Sequence, residues 1–136
     1  MPDFPQVLLL SVPWSFVEPV PESPAALIEA VRAYAEDIQA EDPEWELARV
    51  LPFTDVRLKY GYAFEVADGD WRDREAEVRV VASALGQLTG ADLLWELHVS
   101  WAATVPEEDH HYFEGLELDD WGDVGKPPVY RVLLGS

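Results

Sequence analysis

The chain has 136 residues, 49% of them hydrophobic and none of them cysteine, and a formal net charge of −18 from 27 acidic and 9 basic side chains. That length suits a single domain, 1–136, with a core large enough to need no staple. The composition excludes disulfide scaffolds and thiolate chemistry, the charge argues against nucleic acid or an anionic membrane as partner, and no apolar run nears the roughly 20 residues of a bilayer span.

Residues 6–12 are almost wholly apolar and read as a buried strand. Pro13 and the stretch from Pro19 to Pro24 interrupt regular structure. Ser23 before Pro24 reads as an N-cap with proline at the first helical position. Leu27, Ile28, Val31, Ala35 and Ile38 recur at spacings of three and four and predict a helix over about 24 to 40. Its outer face holds Glu29, Arg32 and Glu36 at pairing distance. Trp45 to Phe53 reads as a strand, with Trp45 and Leu47 alternating against Glu46 and Ala48. The plainest strand is 56–66, where Val56, Leu58, Tyr60, Tyr62, Phe64 and Val66 take every second position.

Asp68-Gly69-Asp70 is a turn, with Asp70 placed to cap a helix over about 71 to 89 whose stripe is Val78, Val81, Ala82, Leu85 and Leu88. Gly90 suits the left-handed position that closes it. A strand at 93–102 turns Trp95, Leu97, Val99 and Trp101 to one side and Glu96, His98 and Ser100 to the other. Pro106 to Pro128 reads as a long acidic loop, and Val129 to Leu134 as a closing strand at a sheet edge or beside the first strand. The order β-α-β-β-α-β, then loop, then β, predicts an α+β fold. Two helices cover one face of a mostly antiparallel sheet, in the manner of a split β-α-β unit.

No nucleotide-binding glycine loop, nucleophile elbow, zinc helix or calcium loop is present. No residue is assigned a catalytic role, and no cofactor is expected. A small-ligand, metal or enzymatic site is one expectation, from Glu96 and His98 beneath His110 and His111 of the loop. The leading expectation is a partner-binding surface on the loop itself, through Glu107, Glu108, Asp109, Tyr112, Glu114, Glu117, Asp119, Asp120, Trp121 and Asp123. Acidic side chains steer a cationic partner, and an exposed tryptophan supplies an anchor; Trp121, set among aspartates, is expected to be at least half exposed.

The function this points to is an acidic binding or inhibitor protein for a basic macromolecule, such as an immunity protein against a nuclease-type toxin or a nucleic-acid mimic. A structural or assembly module is the third expectation, its acidity serving solubility or salt adaptation and its strand Val129–Leu134 dimerising by strand addition. The N-terminal Met1-Pro2-Asp3 lacks the basic stretch of a signal peptide, which predicts a cytoplasmic protein.

Overall fold

The computed structural model describes residues 4–83, 86–105, 112–122 and 125–135. Two short strands, β1 (Val7–Leu8) and β2 (Trp14–Ser15), precede helices α1 (Pro24–Asp37) and α2 (Glu44–Ala48). A hairpin of β3 (Asp55–Ala67) and β4 (Asp70–Val81) follows, then helix α3 (Gly90–Thr104), β5 (Tyr112–Asp120) and β6 (Val129–Gly135). The strands form one sheet in the order β1-β5-β6-β3-β4, with β2 also on β5, and every pairing is antiparallel except β3 with β6. The chain is therefore an α+β protein with a mostly antiparallel sheet, as its sequence implies.

Burial follows the two backbone periods. On β3, Val56, Leu58 and Tyr60 are buried and face the helices, while Arg57 and Lys59 face the other way. Leu27 and Val31 of α1, Leu47 of α2, and Leu93, Leu94 and Leu97 of α3 meet them in a single core with Leu116 of β5 and Tyr130 of β6. The start of α1 forms as its sequence reads: Ser23 accepts a hydrogen bond from the Ala26 N–H at 3.1 Å, and Pro24 follows it.

Four elements differ from their sequence reading, each for a local physical reason. The strand expected at 45–53 is the single-turn helix α2, with Glu44 and Glu46 in its first turn, where the helix dipole favours acid. The helix expected at 71–89 is instead strand β4 up to Val81; Asp68-Gly69 is a two-residue hairpin loop, with Gly69 at φ 78°, that returns the chain onto β3. Asp70 accordingly opens a strand and caps no helix, and Leu85 lies outside the described residues.

The strand expected at 93–102 is helix α3. Thr89 and Asp92 build a reciprocal cap at its start, and Leu94, Leu97, His98 and Trp101 make its buried stripe. Gly90 does not end a helix; it begins this one. A Cβ there would lie 2.3 Å from the Glu46 carbonyl oxygen, so α2 and α3 meet at that point with no room for a side chain. The loop expected at 106–128 contains strand β5, whose inward residues Phe113, Leu116 and Leu118 lose period two at a bulge around Gly115, φ 119°.

Among the described residues the element order is therefore β-β-α-α-β-β-α-β-β, not the split β-α-β order, and three helices stand where two were expected. Nor is β6 an edge strand along its first half: β5 pairs along it and β3 takes its other side at Val129–Arg131, so strand addition has no free edge over those three residues. The edges are β1 and β4. Beyond Lys59 the β3–β4 hairpin has no third strand among the described residues and continues as a two-stranded arm with Val66 and Trp71 exposed.

Candidate functional site

The segment from Trp14 to Glu22 crosses α3 as a strap, and α3 holds it at two points. The Trp14 indole N–H donates to Nδ1 of His98 at 3.1 Å, and Nε2 of His98 lies 3.2 Å from the Phe16 carbonyl oxygen. That pair of contacts sets the neutral tautomer with its proton on Nε2. One turn earlier, the Trp95 indole N–H donates to the Pro21 carbonyl at 2.8 Å. Between the anchors the strap turns through a Glu18 N–H to Ser15 carbonyl bond of 3.2 Å. His98 is fully buried, and burial pushes its imidazolium value down, against the opposing pull of the Phe16 and Glu18 backbone.

Between the strap and α1 lies an open groove of about 640 Å³. Its helix wall is the row Ala26, Ala30 and Ala33, three and four residues apart, with Tyr34 beside it. Its strap wall is Trp14, Pro19, Val20 and Pro21. Trp14 packs edge-on against Tyr34 with centroids 5.7 Å apart. Three carboxylates, Glu18, Glu22 and Asp37, stand along the groove, and among the described residues no cation lines it. Burial raises the Tyr34 hydroxyl above the ordinary phenol value, and Tyr112 and Glu18 push it the same way; it stays a neutral hydroxyl. Aliphatic surface, one phenol and three acids equip the groove to bind a cationic, partly apolar guest.

The residues expected from sequence to form the partner site are spread over the molecule. Glu107, Glu108, Asp109 and Asp123 lie outside the described residues, as do His110 and His111. Tyr112, 42% exposed, sits at the start of β5, close enough to Tyr34 to influence its hydroxyl. Trp121, also 42% exposed, lies just past the far end of β5, some 30 Å along the strand by its rise per residue. Glu114 is exposed between them. Glu117 and Asp119 point to the open sheet face, where Asp119 pairs with Lys59 at 3.0 Å, a contact that holds its carboxyl below the usual range. Asp120 accepts from the Gly122 N–H at 3.0 Å and shapes the turn after β5.

Glu96 and His98 of the second expected site do not share a face. A strand would have placed Glu96 and His98 on one face, but on a helix two residues are about 200° apart. His98 therefore points into the core with both ring nitrogens engaged, Glu96 is half-buried nearer the surface, and Ser100 hydrogen-bonds the Tyr60 hydroxyl at 2.8 Å. Among the described residues no group of three His, Asp or Glu is arranged to hold a metal ion.

Charge is divided sharply between the two sides of the sheet. The open face carries Asp55, Glu65, Asp73, Glu75, Glu77, Glu117 and Asp119 with Arg57, Lys59, Arg79 and Arg131. Each of these cations is paired there: Arg57 with Glu77 at 3.3 Å, Lys59 with Asp119, Arg79 with Asp55, and Arg131 with Glu75 at 3.7 Å. By contrast, residues 18–46, which build the strap, α1 and α2, hold nine acids and one base, Arg32. Arg32 is drawn to Asp42 at 3.5 Å and Glu44 at 3.8 Å.

The groove residues were not picked out in the sequence reading. Two signals pointed to them. One is the Ala26-Ala30-Ala33 row, on a different side of α1 from Leu27 and Val31. The other is the pair Glu36 and Asp37 in the last helical turn, the end where the dipole favours bases. Comparison of the chain with protein-family models, with curated proteins and with solved structures finds no match in any of the three.

Proposed function

We propose that the protein is an acidic binding protein that captures a basic protein partner, in the manner of an immunity protein against a nuclease-type toxin or of a nucleic-acid mimic. The observation that carries this reading is the partition of charge. Four acids and four bases pair with one another on the open sheet face. Of the 27 acidic and 9 basic residues, 23 and five lie outside those four pairs, and the strap, α1 and α2 concentrate nine acids around one arginine. A field with one dominant sign on one side steers an oppositely charged partner toward that side and raises the association rate. Acidity that served hydration alone would have no reason to be unevenly spread.

The test is affinity capture from the native lysate at about 150 mM salt, a range in which exposed charges still act over about 8 Å. The bait is either the wild type or a variant with Glu22, Glu29 and Glu36 changed to glutamine. The expected result is a basic protein retained by the wild type, lost from the variant and eluted by salt. Retention of proteins without regard to their charge, or equal retention by the variant, overturns the reading.

A further inference from the structure

We infer, on the reading above, that the groove between the strap and α1 receives an amphipathic helix of the partner, its apolar side chains seated on the alanine row and its lysines or arginines against Glu18, Glu22 and Asp37. Three observations lead to this occupant. The first is the groove itself. Its volume of about 640 Å³ falls in the range of binding clefts, and its walls are aliphatic and aromatic. The small side chains of Ala26, Ala30 and Ala33, spaced four and then three residues apart, let a second helix approach α1 closely.

The second observation concerns the strap, which decides against an extended guest. A peptide adding as a strand needs a row of free N–H and C=O groups. Pro19 and Pro21 have no N–H, and the Pro21 carbonyl already accepts from Trp95. A guest lying here must satisfy its own backbone, and a helix does so. The groove runs beside α1 from Ala26 to Asp37, about 16 Å at helical rise. That is about three turns of a guest helix, with anchors spaced i, i+3 or i+4, and i+7.

The third observation is electrostatic. α1 has no acid in its first turn and no base in its last, where Glu36 and Asp37 stand at the negative end of the dipole. This is the reverse of what stabilises an isolated helix. Cations of a guest helix placed beside Asp37 relieve that repulsion, so the charge arrangement is unfavourable in the free protein and complementary in the complex.

The test uses the full chain and a synthetic peptide of about 15 residues built from leucine and lysine at amphipathic helical spacing. A second peptide of the same composition, scrambled to destroy that spacing, is the control. Binding is followed by amide and indole NMR shifts at about 150 mM salt. The expected result is saturable binding of the first peptide, with shifts concentrated at Val20, Ala30, Ala33 and Tyr34, and binding of the scrambled peptide weaker by about tenfold or more. Ala33→Trp, at an exposed position of α1, and separately Val20→Lys on the strap, should each reduce binding by a similar factor while the thermal midpoint holds.

Equal binding of both peptides means that charge alone suffices and overturns the groove inference. Shifts centred away from the groove, or binding unaffected by both substitutions, overturn it too. The acidic-binder reading is judged separately, by capture of a basic protein, and survives each of those outcomes. Capture that fails together with the peptide removes both.

Discussion

His98 and Tyr130 carry buried ionisable groups whose chemistry sets how the fold answers to pH. Burial keeps the His98 imidazole below its ordinary value of 6.5. Between that lowered value and 6.5 the unfolded chain binds a proton that the native chain refuses. Stability is therefore full above 6.5 and falls as pH drops through the window. Denaturant titrations at about pH 7.5 and about pH 5.5 should show this loss in the wild type and a much smaller one in His98→Gln. An equal loss in the variant would assign the titration to another group. Because His98 holds Trp14, a wall of the groove, the same acidification should weaken partner binding. Tyr130 works at the other end of the scale. Its hydroxyl donates to the Pro5 carbonyl at 2.6 Å, and burial pushes it up to about 12 against a small opposing effect of Arg49. Unfolded tyrosine ionises near 10, so this contribution is lost as pH rises from 10 towards 12.

Among the elements, the helices show the clearest division between what stabilises and what binds. α2 and α3 touch backbone to side at Gly90, where an added Cβ would meet the Glu46 carbonyl at 2.3 Å and Leu9 at 2.8 Å. The first of these is backbone and yields little. Gly90→Ala should lower the denaturation midpoint by an amount corresponding to about 2 kcal/mol, at the upper end of overpacking by one carbon, despite the better helix propensity of alanine. A neutral or stabilising result would mean that the two helices separate freely. α1 gives the opposite case. Asp37 is exposed, and no ion pair is found for it among the described residues. Asp37→Lys exchanges an acid for a base at the helix C-terminus and should stabilise the free protein by about 0.5 kcal/mol. The same substitution should slow association with a cationic partner. Thermal unfolding and association kinetics read the two effects independently, and a variant that is less stable contradicts the dipole argument.

At the level of the whole molecule, the sheet separates a face on which each of four bases is paired with an acid from a helical layer with nine acids and one base. The paired face holds four of the nine bases, which leaves few cations free to meet phosphates elsewhere. Duplex DNA of unrelated sequence should accordingly show no saturable binding at about 150 mM salt, since counterion release requires several cations on one surface. Saturable binding in a fluorescence-anisotropy titration would contradict the charge partition as a guide to partners. The β3–β4 arm adds a second feature of overall shape. β4 is an unpaired edge, but Arg72, Arg74, Glu75 and Glu77 along it discourage addition of another strand. No helix among the described residues is long and apolar enough to cross a membrane.

The amino-acid sequence by itself determined the α+β class, the capped start of α1, the period-two strand β3, the closing strand β6 and the acidity of the molecule. Each rests on a local signal: a cap, an uninterrupted period or a count of charges. Only the tertiary structure decided the type of four further elements and the place of the site. Over 71–89 the apolar residues satisfy both periods, and pairing with β3 through the Asp68-Gly69 loop resolves them as a strand. Over 93–102 the cap at Thr89 and Asp92 and the core contacts of Leu94, Leu97 and His98 favour the helix over an equally regular alternation. The bulge at Gly115 hides β5 because it breaks the period that would have revealed it. The groove is non-local by construction: its walls are the strap and α1, but what holds them is His98 and Trp95, more than 70 positions along the chain from the residues they grip. Local spacing records which residues share a face of one element; which two elements face each other across a gap depends on packing that no window of sequence contains.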